Sequence, residues 1–275
     1  MSPSLKHAAL FLIGVLSVVA FVASTRALGD LSSVLKPDCV HPETSSNSIL
    51  IAAANNSYDS THGEEYFLKT AQSLLPVTDK VTTHTYQIMY GQYLLPFYKE
   101  KPHMKMLEIG LGCDMGYGPG ASVAVWKKLF PEAELWEAEF DGKCVEKAKA
   151  NGMLEGLHVL VGDQGNPAVL DQWIEQSGGA DFDVVIDDGG HQNCQIWTSF
   201  LKLWPHLKPN GLYFIEDMQV AKWKNYRNYQ STLCDKSTTV PEKLKIKIDE
   251  MLYNNKTTDV KFMFCQREAC VLGKK

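Results

Sequence analysis

Apolar segments of two different kinds alternate along residues 105–215 of this 275-residue chain. Short runs of Val, Ile, Leu and Phe are typical of strands that are buried on both faces, and the segments between them show helical spacing. The pattern predicts strands at 106–109, 135–140, 157–161, 182–186 and 211–215, and helices at 121–130, 144–150, 168–176 and 192–204. Strands that alternate with helices form a parallel sheet covered on both faces, so we expect a doubly wound α/β fold.

The segments on either side of this core extend the predicted domain. Residues 64–75 and 84–98 have helical spacing and precede the first strand. Residues 241–252 are predicted to be helical, and 260–265 and 269–272 to be two strands joined by a tight turn. An antiparallel hairpin at the edge of a mostly parallel sheet is a common arrangement. We therefore expect one domain at residues 61–275 with an N-terminal helical extension.

The N-terminal segment is predicted to lie outside this fold. Residues 8–25 are uncharged, and their apolar core has a length between those of a cleaved signal peptide and a membrane-spanning helix. We expect residues 1–26 to be a signal-anchor or a signal peptide, and favour the anchor because the apolar run is long for a signal peptide. Residues 27–60 are rich in Ser, Asn, Asp and Pro, which is typical of a stalk or linker.

The charges around the apolar segment predict the compartment of the domain. Lys6 precedes the segment, which favours a cytosolic N-terminus and a lumenal or extracellular domain. The expected location is the endomembrane or secretory pathway, with a single-pass anchor that contacts the membrane, or secretion if the segment is cleaved. The sequons at Asn55 and Asn255 are compatible with a glycoprotein.

Composition excludes some classes of site. The net charge of −5 and the lack of a basic patch with interleaved aromatic residues argue against a nucleic-acid surface. The seven cysteines include no Cys-x-x-Cys pair, which argues against zinc. Cys265 and Cys270 could pair across the predicted hairpin or remain free thiols.

Acidic residues follow two of the predicted strands. Asp187-Asp188-Gly189-Gly190-His191 closes the strand at 182–186, and Glu216-Asp217 closes the strand at 211–215. Ligands of parallel sheets bind at the carboxyl ends of the strands. Carboxylates are preferred ligands of Mg²⁺, and a nearby imidazole can act as a base. The two motifs therefore predict a metal site with a base beside it, although the aspartates could also cap the following helix.

Three further motifs predict a nucleoside site. Glycines in Glu108-Ile109-Gly110-Leu111-Gly112 allow the backbone to approach a ligand closely, but Met115 breaks the dinucleotide pattern Gly-x-Gly-x-x-Gly. Glu139 ends the second strand, where an acid can accept hydrogen bonds from both hydroxyls of a ribose. Asp163 and Gln164 end the third strand and could bond an adenine. Each motif alone also fits a loop without a ligand.

The combination of motifs resembles a known family. Residues 79–217 resemble class I S-adenosylmethionine-dependent methyltransferases, and most closely the metal-dependent macrolide sugar O-methyltransferases of the macrocin and mycinamicin type and their fungal relatives. The matching motifs are Thr78-Asp79-Lys80, Leu107-Glu108-Ile109-Gly110, Gly162-Asp163-Gln164, Asp187-Asp188-Gly189-Gly190-His191 and Glu216-Asp217.

The resemblance implies a Rossmann-like methyltransferase sheet and an O-methyltransferase that acts on a hydroxyl of a small molecule or sugar. The implied cofactors are S-adenosyl-L-methionine and Mg²⁺ or another divalent cation. The implied donor-site residues are Glu108, Gly110, Gly112, Glu139, Asp163, Gln164 and Asp187. The implied metal ligands are Asp188, Glu216 and Asp217, with His191 as the catalytic base. A non-catalytic, donor-binding or scaffold protein of the same fold is the alternative, and a homo-oligomer stays open.

Overall fold

The computed structural model describes residues 60–253 and 258–275. These residues fall within a compact unit, Asn55–Lys275. The predicted signal or anchor segment, the stalk and both sequons lie outside the described residues. Within the described ranges, no helix has the length and apolar character needed to cross a membrane.

The sheet has five parallel strands and a C-terminal antiparallel hairpin, as the sequence predicted. Its order is β3-β2-β1-β4-β5-β7-β6. The hairpin joins the sheet because β7 pairs antiparallel with both β5 and β6. The strands are β1 (Lys105–Ile109), β2 (Glu134–Glu139), β3 (His158–Val161), β4 (Val184–Asp187), β5 (Leu212–Ile215), β6 (Val260–Cys265) and β7 (Cys270–Lys274).

Helices cover both faces of the sheet. They are α1 (Ser60–Gln72), α2 (Gln87–Met89), α3 (Leu95–Glu100), α4 (Ala121–Leu129), α5 (Gly142–Ala150), α6 (Pro167–Gln176), α7 (Asn193–Leu203) and α8 (Val240–Tyr253). Successive side chains of a strand point to opposite faces. Met106 of β1 accordingly packs in one core with Trp126 of α4, while the adjacent Leu107 packs in another with Trp173 of α6. Burial on both faces explains why the strands are almost continuously apolar.

The segment before β1 differs from the single helix that the sequence predicted at 84–98. A π-helical turn, Tyr90–Leu94, connects α2 with α3. Gly91 lies in this turn, and a Cβ there would lie 2.4 Å from the backbone nitrogen of Glu64 in α1. The chain between α1 and α2 is not α-helical and contains a short 3₁₀ turn, Asp79–Val81. This irregular stretch brings side chains to the carboxyl edge of the sheet.

Three disulfides cross-link the described residues. They join Cys113 to Cys144, Cys194 to Cys234, and Cys265 to Cys270. The first two link residues 31 and 40 positions apart, a pairing that the sequence left undetermined. Disulfides are typical of proteins that fold in an oxidising compartment.

Candidate active site

A cavity of about 1320 Å³ opens at the carboxyl edge of the sheet. The strand order reverses direction between β1 and β4, and doubly wound sheets bind ligands at such a switch point. The volume exceeds the roughly 300–1,000 Å³ of a pocket for one drug-sized ligand, so two ligands can fit side by side. Most of the predicted site residues line it: Gly110, Gly112, Glu139, Asp163, Gln164, Asp188, His191 and Asp217.

The glycine turn after β1 is held close to its neighbours. Gly110 has a φ of +112°, and a Cβ on it would lie 2.1 Å from the carbonyl oxygen of Asp188. Glu139 ties the turn to the end of β2, because its carboxylate accepts hydrogen bonds from the backbone N–H groups of Leu111 (3.0 Å) and Asp141 (2.9 Å). The turn therefore has a fixed shape at the cavity wall.

Glu108 lies behind this wall and does not line the cavity. It is buried, and one of its oxygens accepts hydrogen bonds from the hydroxyl of Ser122 and the indole nitrogen of Trp126, both at 2.8 Å. This acid is one of the predicted donor-site residues, but its position lets it support the turn from the core.

Gln164 and Asp187 support the loop that carries the second acidic motif. The amide nitrogen of Gln164 donates to Asp187 at 2.7 Å, and its oxygen accepts from the backbone N–H of Gly190 at 2.8 Å. Burial raises the pKa of Asp187 to about 6, although hydrogen bonds from Ser199 and Gln164 act in the opposite direction. Asp187 does not line the cavity. The polar atoms of both predicted donor-site residues thus form hydrogen bonds to other residues of the protein.

Asp163 is connected to a segment that the sequence did not assign to the site. The hydroxyl of Tyr229 donates a short hydrogen bond to Asp163, and the backbone N–H of Tyr229 donates to Gln192 at 2.8 Å. The disulfide between Cys194 and Cys234 fastens the same segment to α7. The segment reaches the cavity through Tyr226, which lines it.

Three of the predicted residues come together as a group that could hold a metal ion. Potential ligand atoms of Asp188, His191 and Asp217 all lie within 4.8 Å of one another. The Nε2 atom of His191 lies 3.4 Å from one oxygen of Asp217. Burial opposes ionisation of Asp217, but His191 and the hydroxyl of Tyr86 outweigh burial and lower the pKa of the carboxyl. An ionised carboxylate therefore faces the cavity beside an imidazole.

Glu216, the third predicted metal ligand, does not join this group. It is buried and does not line the cavity. One of its oxygens accepts a hydrogen bond from the ammonium of Lys80 at 2.8 Å, and the other accepts one from the hydroxyl of Tyr90. Burial and the nearby Asp188 raise the pKa of Glu216 well above its usual value. Both carboxylate oxygens already have partners within the protein.

Lys80 lies at the site but was not among the site residues that the sequence predicted. Its side chain is 1% exposed, and its ammonium lies 2.5 Å from Asp188, 2.8 Å from Glu216 and 3.4 Å from Glu108. Burial alone would lower the pKa of Lys80, but these carboxylates raise it well above its usual value. The only signal in the sequence was its place in Thr78-Asp79-Lys80, one of the motifs of the resemblance.

The charges of the site suit a divalent cation. One ammonium lies among the carboxyl groups of Asp188, Glu216 and Glu108, and the ionised Asp217 adds a negative charge at the cavity surface. Mg²⁺ is commonly held by one or two carboxylates together with water and substrate oxygens. Asp188 and Asp217 provide such a pair at the cavity surface. The residues present therefore fit a magnesium ion.

Comparison with known proteins agrees with this geometry. No family model matches the chain. The 8-demethyl-8-alpha-L-rhamnosyl tetracenomycin-C 2'-O-methyltransferase of Streptomyces olivaceus is 32% identical over 151 residues, which cover 54% of this chain and 37% of that protein. The L-olivosyl-oleandolide 3-O-methyltransferase of Streptomyces antibioticus is 29% identical over 239 residues, which cover 85% of this chain and 58% of that protein.

A solved structure extends the similarity to the fold. The MycE methyltransferase from the mycinamycin biosynthetic pathway, in complex with Mg, SAH and mycinamycin VI, matches with a TM-score of 0.58 and 26% identity. The match covers 78% of this chain and 54% of MycE. The resemblance to class I S-adenosylmethionine methyltransferases is confirmed. The matched region spans less than two thirds of the length of each of these relatives.

Proposed function

We propose that this chain is an S-adenosyl-L-methionine-dependent, divalent-metal-assisted O-methyltransferase that acts on a hydroxyl of a small molecule or sugar. One observation carries the proposal: a single cavity joins the glycine turn of β1 to the group Asp188, His191 and Asp217. The similarity to sugar O-methyltransferases, and to a MycE structure that contains Mg and SAH, supports it. Residues 61–275 would form the methyltransferase domain.

The donor would occupy the side of the cavity formed by β1, β2 and β3. Gly110 and Gly112 line this side, so the backbone of the glycine turn would border the donor. Glu139 lies at the end of β2, where its carboxylate can receive ribose hydroxyls in addition to the backbone groups that it already holds. Asp163 stands at the end of β3 and would face the adenine. Glu108, Gln164 and Asp187 would act indirectly, by fixing the loops around the donor.

The acceptor would occupy the side formed by β4 and β5. Asp188 and Asp217 would hold the cation, with Glu216 retained by Lys80 behind them. A bound divalent cation lowers the pKa of a coordinated hydroxyl. His191 lines the same cavity, and its imidazole would accept the proton as the methyl group is transferred. The protein's contribution is to place the two reactants in line and to exclude water.

The proposal is tested by methyl transfer from isotopically labelled S-adenosyl-L-methionine to a panel of hydroxylated metabolites and glycosides, with Mg²⁺ or with a chelator. We expect one acceptor class to gain the label only when the cation is present. Transfer that is indifferent to chelation would contradict the role of the metal. If the protein binds the donor but labels no acceptor, the alternative of a donor-binding or scaffold protein gains support.

We also propose that residues 1–26 tether the domain to a membrane of the secretory pathway, with the domain on the lumenal side. The disulfides support an oxidising compartment, and the sequons at Asn55 and Asn255 are compatible with it. In sealed microsomes we expect the domain to resist added protease until detergent is present, and a glycosidase to reduce its mass. Digestion without detergent would place the domain on the cytosolic side.

A further inference from the structure

We propose that Glu268, in the turn between β6 and β7, and His84 are positioning residues that fix the orientation of Asp217. This inference rests on the proposed function, because it assigns to Asp217 the oxygen that would bind the cation. Neither residue lines the cavity. Both therefore act on the site through Asp217 and not on the reactants themselves.

The contacts form a chain from the hairpin to the metal group. The Nδ1 atom of His84 lies 2.7 Å from Oε2 of Glu268, and its Nε2 atom lies 3.4 Å from Oδ1 of Asp217. The hydroxyl of Tyr86 donates to the same Oδ1 at 2.6 Å. The rings of His84 and Tyr86 are stacked with their centroids 4.7 Å apart. The side chains of His84, Glu268 and Asp217 are 9%, 13% and 16% exposed, so little water competes for these contacts.

The two oxygens of Asp217 thereby acquire different roles. Oδ1 is held by Tyr86 and His84, whereas Oδ2 faces His191 at 3.4 Å. Asp217 has a φ of +54°, which places it in the left-handed region. The hydroxyl of Tyr86 also accepts the backbone N–H of Asp217 at 3.1 Å, so Tyr86 holds both the backbone and the side chain of this residue. The geometry leaves Oδ2 as the oxygen that can bind a cation.

The hairpin turn is itself fastened to the segment that carries His84. The backbone N–H of Met218 donates to the carbonyl of Glu268 at 2.8 Å. The side chain of Gln266 donates to the carbonyl of Thr85 and accepts the backbone N–H of Met89, both at 2.9 Å. The disulfide between β6 and β7 closes the turn on its other side. The hairpin thus holds Glu268 beside His84 at a defined position.

Residues of this kind have a measurable effect on metal binding. Outer partners that orient a metal ligand typically contribute about 10–100-fold to metal affinity. The probe is Mn²⁺, titrated into the full chain and followed by the loss of the free-ion electron paramagnetic resonance signal. We expect Glu268→Ala and His84→Ala to weaken Mn²⁺ binding by about 10-fold or more. Glu268→Gln keeps an oxygen for Nδ1 of His84 and should restore most of the affinity.

The control measurements distinguish an effect on the orientation of Asp217 from a general effect on folding. Glu132→Ala removes an exposed acid whose contact with His103 is 3.7 Å long, and it should leave Mn²⁺ binding unchanged. The affinity of S-adenosyl-L-homocysteine should be the same in all these variants. A loss of donor affinity in step with Mn²⁺ affinity would indicate general damage and overturn the positioning role. Mn²⁺ affinity in Glu268→Ala equal to that of the control would overturn it as well.

A disulfide comparison tests the contribution of the hairpin. Replacing both Cys265 and Cys270 by serine should weaken Mn²⁺ binding relative to the wild type. An unchanged Mn²⁺ affinity in this double variant would show that the hairpin does not position Asp217. If the wild-type chain itself fails to bind Mn²⁺, the proposed function fails together with this inference. If the wild type binds Mn²⁺ and Glu268→Ala and His84→Ala bind it as tightly as Glu132→Ala does, only the inference fails and the proposed function stands.

Discussion

Replacing His191 by asparagine is expected to lower kcat by about 10²–10⁴-fold, because a general base in the transition state typically contributes that much. The imidazole lines the cavity beside Asp188 and Asp217, where the acceptor hydroxyl would lie. His191 has a φ of +52°, and asparagine tolerates this left-handed conformation better than most residues. The measurement is the rate of methyl transfer to an acceptor that the wild-type protein methylates.

Binding measurements on the same variant distinguish a base from a structural histidine. We expect S-adenosyl-L-homocysteine to bind His191→Asn as it binds the wild type. His103, whose side chain is 81% exposed, provides the matched control, and His103→Asn should retain full activity. A turnover in His191→Asn equal to that of the control would exclude the imidazole as the base.

Replacing Lys80 by methionine is expected to lower the free energy of unfolding by about 3–5 kcal/mol, because it leaves buried charges without their partner. The ammonium is 1% exposed and contacts Asp188, Glu216 and Glu108. Urea denaturation in the presence of a chelator measures the loss. Added Mg²⁺ should recover part of it, since the ion would bind the folded state and supply positive charge to the same carboxylates.

Two further variants show whether the loss of stability in Lys80→Met comes from the missing charge. The double variant Lys80→Met, Glu216→Gln also removes a buried acid that has lost its partner, so we expect it to be more stable than Lys80→Met alone. Lys202 pairs with the exposed Asp171, and surface pairs contribute only about 0–1 kcal/mol. Lys202→Met should therefore cost little. If Lys80→Met and Lys202→Met were equally stable, the buried cation would not organise the site.

The fold could be predicted because the apolar pattern within each segment agrees with the place of that segment in the sheet. The strands are buried on both faces, so their apolar runs stand out from the helical spacing between them. The acidic motifs follow β4 and β5, and parallel pairing of these neighbouring strands brings their ends to one edge. Placing Asp188, His191 and Asp217 at the cavity required only this topology.

The remaining features depend on contacts between distant parts of the chain. Lys80 reaches Asp188 across 108 positions in the sequence, and no local pattern specifies such a contact. Glu216 and Asp217 are adjacent, yet only Asp217, which has a left-handed backbone conformation, lines the cavity. The sequence therefore identified the acidic pair but could not assign separate roles to its members. The disulfide pairings were undetermined for the same reason.

A calorimetric titration of S-adenosyl-L-homocysteine into the full chain tests directly whether the cavity is a donor site. We expect saturable binding with one site per chain, and weaker binding in Glu139→Gln, which loses the charge that holds the backbone of Leu111 and Asp141. The absence of binding at saturating ligand concentrations would contradict the proposed function, because the cavity would then not be a donor site.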